Sequence, residues 1–94
     1  MAYKLLHIGI TWRGLNKNEE VKSALNEADD WLFYAGHNWI VYTNQTRTYW
    51  AAKLRAIIST NDSLMICEIS DPASSDGWMP AWVWDWIRKP RYYS

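Results

Sequence analysis

Between Tyr3 and Trp12 the apolar positions alternate: Leu6, Ile8, Ile10 and Trp12 fall on one side, Leu5, His7, Gly9 and Thr11 on the other. This pattern predicts a strand with one strongly buried face. Arg13-Gly14-Leu15 interrupts it, and Asn16 followed by Glu19 has the form of a capping box. From there Val21, Ala24, Leu25, Ala28 and Leu32 recur at helical spacing, with the acids opposite. The aromatic, β-prone runs Trp31-Leu32-Phe33-Tyr34 and Trp39-Ile40-Val41-Tyr42-Thr43 flank Ala35-Gly36-His37-Asn38 and predict a hairpin. Residues Asn44 to Thr46 offer N-caps for a second helix reaching about Ser59, with a buried stripe of Trp50, Ala51, Leu54, Ile57 and Ile58. After turn chemistry at residues 59–62, the run Leu64-Met65-Ile66-Cys67-Glu68-Ile69 has little polar alternation and predicts a strand covered on both faces.

The resulting order, strand-helix-strand-strand-helix-strand, predicts an α+β fold: a ferredoxin-like βαββαβ sandwich over residues 1–70. Right-handed crossovers place the first and third strands in the middle, and both helices lie on one face of an antiparallel sheet. The other face is then expected to be open, carrying His7, Gly9 and Thr11 with either Trp39 and Val41 or Ile40 and Tyr42; His7, Thr11 and Tyr42 are its candidate contact residues. Such a face needs covering by a partner, a ligand or the chain's own tail. Residues 71–94 supply a loop, a Trp-rich helix and a basic tail expected to pack on the domain. Trp78, Met79, Trp82, Val83, Trp86 and Ile87 share one helical face, with Trp84 and Asp85 looking outward, and Pro80 and Pro90 bound the helix. Trp82, Trp84 and Trp86 also alternate as a strand would.

Composition changes this picture in one respect. The chain has eight Trp among 94 residues, more than so small an interior needs. Trp is favoured at binding surfaces, so the excess points to a protein that holds a partner. Trp78, Trp84, Arg88, Arg91 and Tyr92 are the candidate contact residues. Formal net charge is zero, which gives no global pull toward nucleic acid or an anionic membrane. The charges are nevertheless in blocks, and no Lys or Arg occurs between residues 56 and 87, a pattern that suits self-association or a charged partner.

Chemistry is sparse. Cys67 stands alone in an apolar run, which predicts a buried inert thiol and no disulfide or cysteine metal site. His7 in its strand and His37 in its turn have structural reasons to be there. No HxxxH, HExxH, CxxC, calcium-loop or phosphate-loop pattern is present, so neither a metal nor a cofactor is expected. On the second helix, Arg47, Lys53 and Arg55 flank the apolar stripe, which suits snorkelling better than a phosphate track. No signal-peptide pattern opens the chain, and no run approaches the roughly 18 apolar residues of a membrane span, so a cytoplasmic location is expected.

The segment "WIVYTNQTRTYWAAKLRAIISTNDSLMICEI" from Trp39 to Ile69, with Gly77-Trp78 beyond it, is similar to small SinR-like proteins of the wider group that includes VapD-type toxins and the small CRISPR integration subunit. The resemblance implies a ferredoxin-like subunit that dimerises through its sheet, of a kind often carried by phages and mobile elements. Nuclease members of the group resemble one another in an Asp ending the first strand, where it binds Mg²⁺ across the dimer. Here that place reads Ile10-Thr11-Trp12-Arg13, without a carboxylate, so the nuclease activity does not carry over. The expectation is a non-catalytic, homodimeric interaction protein with a protein partner, in one version an inhibitor of a host defence complex. The alternatives are an atypical nuclease using Asp62 and Glu68, and a nucleotide or small-ligand binder with bases stacked on Trp.

Overall fold

The computed structural model describes residues 3–71 and 76–93. The first strand, β1 (Lys4–Thr11), buries Leu6, Ile8 and Ile10 on one side and Leu5 on the other. Helix α1 (Asn18–Leu25) directs Val21 and Leu25 into the interior. Its start is not a capping box: Lys17 holds the N-cap position without a side-chain bond, and Asn16 Oδ1 instead accepts the Asn18 N–H at 2.8 Å. Leu32, which falls in phase with this helix, belongs to β2 (Asp30–Ala35) and faces the opposite layer. A tight turn joins β2 to β3 (Asn38–Thr43), with Gly36 at φ 55°, where a side chain would be strained.

Thr46 caps α2 (Arg47–Arg55), its hydroxyl accepting the Tyr49 N–H at 3.0 Å. This helix ends a turn earlier than the sequence pattern suggests, and Ile57 and Ile58 pack from the turn that follows. Strand β4 (Ser63–Ile69) and a third helix, α3 (Ala81–Ile87), complete the described elements. The expected loop at residues 71–77 lies partly outside the described residues.

The four strands pair antiparallel in the order β2-β3-β1-β4, so β1 and β3 take the middle. Register decides which face each residue serves. On one face Leu6, Ile8, Ile10, Trp39 and Val41 meet Val21 and Leu25 of α1 and Trp50 and Leu54 of α2. On the other, Leu5, Leu32 and Ile40 meet Val83 and Ile87 of α3. The face left open by α1 and α2 therefore carries Ile40 and Tyr42 rather than Trp39 and Val41, and much of it is covered by the chain's own C-terminal helix. The expectation that β4 is covered on both faces is corrected: it is an edge strand, with Met65, Cys67 and Glu68 exposed. Its apolar run reflects half-covered flanks on both faces rather than full burial.

In the first core, the Trp50 indole N–H reaches the buried Thr43 hydroxyl at 3.2 Å and satisfies it, whereas the Trp39 indole N–H is enclosed without a hydrogen-bond partner. The second core is thinner and rests on α3. Ile87→Ala is expected to cost about 2–4 kcal/mol in urea denaturation, as for a fully enclosed aliphatic side chain, whereas Ala81→Ser on the exposed side of α3 stays within about 0.5 kcal/mol. Equal small effects would mean that α3 is not part of the cooperative core.

Candidate functional site

The C-terminal segment is built by where α3 begins. Pro80 is extended (φ −55°, ψ 147°) and stands just ahead of the helix, so Trp78 never joins the helical stripe. From Ala81 onward the phase puts Val83 and Ile87 against the sheet, with Trp84 and Trp86 half-buried beside them. The expected outward position of Trp84 is thus corrected: its ring packs in the second core and against Gly77, where an added Cβ would lie 3.6 Å from it. Trp82, expected to face inward, is 52% exposed, and Trp78 is 100% exposed.

The basic tail is docked rather than free. Arg91 pairs with Asp30 at 3.1 Å, and its guanidinium lies 4.3 Å from the Trp86 ring centre and 5.0 Å from that of Tyr42. Its side chain is only 6% exposed, so it clamps the tail to the hairpin and is not a contact residue for a partner. Tyr42 donates its hydroxyl proton to the Tyr92 carbonyl, stacks on Tyr3 at 5.2 Å and meets Tyr93 edge-on at 5.8 Å. Tyr42, expected on an open face, is therefore covered by the tail. Arg88 is exposed and lies over the Trp84 ring at 4.8 Å; the Tyr92 ring is exposed, with its edge toward Tyr3.

Helix α3 stops short of the far end of the sheet. There His7, Gly9, Thr11, Asn38, Ser63 and Met65 line a shallow hollow of about 360 Å³, in which Thr11 is exposed and Met65 is 66% exposed. His7 is half-buried, 2.6 Å from the Tyr34 hydroxyl, and burial lowers its pKa from the ordinary 6.5. Cys67 pairs with His7 across β1 and β4 and is exposed, which corrects the expectation of a buried thiol.

A larger groove of about 590 Å³ runs between α2 and β4. Ala51, Ile58, Leu64 and Ile66 floor it, Arg47, Thr48 and Arg55 stand along its helical wall, and Asp62 lines it at the turn before β4. Lys53, on the far side of α2, is instead paired with Glu27, whose carboxylate also accepts from Tyr49 at 2.7 Å. These bonds hold the Glu27 carboxyl below its usual range. No motif advertises this groove in the sequence; the signal available was two arginines eight residues apart beside an apolar strand without basic residues.

Asp62 and Glu68, the carboxylates of the nuclease alternative, are not brought together within the chain. Six residues of extended strand separate them by about 20 Å. Asp62 is occupied as a loop staple, accepting from the Arg13 N–H at 2.8 Å and from Ser59 at 2.9 and 3.0 Å, and these donors pull its pKa down. Among the described residues no group of three His, Cys, Asp or Glu side chains is arranged to hold a metal ion, and no helix is long and apolar enough to cross a membrane. No family model, curated protein or solved structure matches this chain.

Two outcomes follow from this geometry. Arg91→Gln is expected to lower the melting temperature by several degrees while Arg88→Gln leaves it nearly unchanged, because the Arg91 side chain is buried in its ion pair and Arg88 is exposed; equal effects in thermal melts would remove the clamp. Because folding depresses the His7 pKa, the unfolded chain binds the extra proton first, and stability falls as pH drops below about 6.5. The melting temperature should be lower at pH 5.5 than at pH 7.5, and His7→Gln should narrow that difference.

Proposed function

We propose that this chain is a non-catalytic, dimeric interaction protein with a ferredoxin-like domain, which binds a macromolecular partner through the exposed aromatic surface of its C-terminal segment. The strand order and the placement of α1 and α2 on one face support the ferredoxin-like description. The observation that carries the function is Trp78, wholly exposed at the approach to α3, with half-exposed Trp82 on the outer side of that helix. Two large amphipathic rings exposed to water gain a great deal on being covered, and each presents an N–H donor with a large apolar area. Arg88, exposed beside the Trp84 ring, extends the same surface with a cation suited to a carboxylate or an aromatic partner. The version that the SinR-like resemblance favours is a phage or mobile-element protein that inhibits a host defence complex.

Trp78→Ala and Trp82→Ala are expected to leave the melting temperature within about 2 °C of wild type, since exposed changes cost little stability. In quantitative co-purification from extracts of the source cell, the same variants should lose a wild-type partner by tenfold or more, as central aromatic residues of interfaces do. Undiminished capture by both variants would remove the C-terminal surface from the function.

A further inference from the structure

The two edges of the sheet are not alike. β2 carries a register shift between Phe33 and Ala35, and the tail is clamped to it through Asp30 and Arg91; both features discourage a further strand. β4 has neither. It pairs with β1 without a register shift from Thr11↔Ser63 to Leu5↔Ile69, and its sequence, SLMICEI, contains no proline and no basic residue. Natural sheets normally guard such an edge with lysine, proline or a bulge.

Ile10 donates its N–H to the His37 carbonyl at 3.0 Å, so even-numbered residues of β1 turn their backbone toward β3 and odd-numbered ones toward β4. Their opposites on β4, Ser63, Met65, Cys67 and Ile69, bond inward. Leu64, Ile66 and Glu68 are left with N–H and C=O groups pointing off the edge. Their side chains lie on the α2 side, and Leu64 and Ile66 form the floor of the groove beneath Arg47 and Arg55.

A strand that completes this edge must therefore bring apolar, apolar and acidic side chains, in alternation, to the α2 side. β4 itself has that pattern. We propose that the β4 edge and the α2 groove receive the β4 strand of a second copy, antiparallel about a two-fold axis at Ile66, making one eight-stranded sheet. In this register Ile66 faces its own equivalent, and Leu64 faces Glu68 of the partner subunit, each pair exchanging both backbone hydrogen bonds. α2 runs opposite to β4, so Arg55 lies at the Leu64 end of the groove. There it meets Glu68 of the partner subunit, and the two-fold axis repeats the pair at the other end. Among the described residues Arg47 and Arg55 make no hydrogen bond or ion pair; the acid that lines the groove, Asp62, is held by Arg13 and Ser59, and Glu68 is exposed. The second copy supplies a counter-charge for Arg55 and covers the half-buried Leu64 and Ile66. This gives the dimeric part of the proposed function a location; it is independent of the Trp78 surface.

The test is the mass of the wild-type chain and its variants by sedimentation equilibrium over 1–100 μM, with circular dichroism on each. Wild type is expected to be dimeric. Glu68→Pro removes an outward N–H that the isolated domain does not use, at an edge position that tolerates proline, and should yield a folded monomer. Arg55→Glu and Glu68→Arg should each weaken dimerisation tenfold or more, and the double exchange should restore it, independently of whether the proline variant folds. Trp78→Ala should remain dimeric, which separates failure of this proposal from failure of the C-terminal surface. A monomeric wild type, or a dimer untouched by the charge reversals and by a folded Glu68→Pro, would overturn the proposal.

Discussion

Everything in this fold follows from a sheet whose two central strands are apolar on both faces. β1 sends Leu6, Ile8 and Ile10 one way and Leu5 the other; β3 sends Trp39 and Val41 one way and Ile40 the other. Such strands cannot leave either face in water, because the apolar area on each is a large part of what opposes the entropy of ordering the chain. Two helices cover the first face, as the connections of the sheet require. Among the described residues the C-terminal segment covers the second face, and that requirement sets the position of α3, the clamp of Arg91 on Asp30 and the collar of Tyr3, Tyr92 and Tyr93 about Tyr42.

The tryptophans divide according to this requirement. Trp39 and Trp50 are enclosed in the first core, and Trp84 and Trp86 pack in the second. Trp12 and Trp31 seal margins, their indole N–H groups bonded to Asn18 and Asn26 at 2.6 and 3.0 Å. Trp78 and Trp82 remain beyond what packing consumes. A helix of seven residues can turn only one stripe to the sheet, and on α3 the aliphatic pair Val83 and Ile87 forms the centre of it. The exposure of Trp82 is thus a consequence of helix phase, and that of Trp78 of its place ahead of Pro80, outside the helix.

The α2–β4 side offers a different kind of surface. Its features are an edge strand and two arginines over an apolar floor, which suit the proposed recognition by strand addition and charge rather than by aromatic burial. The two surfaces lie on different elements, and a subunit joined through β4 would keep its α3 helix available. In the proposed reading self-association and partner binding are separable, the first resting on hydrogen-bond geometry and the second on exposed apolar area.

The sequence by itself determined the order of elements, the central placing of the first and third strands, the hairpin at Gly36 and the stripe Trp50 and Leu54, because these depend on local periodicity and turn chemistry. It also marked the C-terminal segment as more aromatic than a core needs. Only tertiary structure decided which residues of that segment are free. Pro80 lies outside the helix and shifts its phase, so Trp84 turns inward and Trp82 outward, and no helical wheel begun at Trp78 could have found this. Arg91 and Tyr42 looked available because their partners, Asp30 and the Tyr92 carbonyl, lie 61 and 50 residues away along the chain. Cys67 looked buried because an apolar run reads the same in the middle of a sheet as at its edge; pairing distinguishes the two, and pairing is not local.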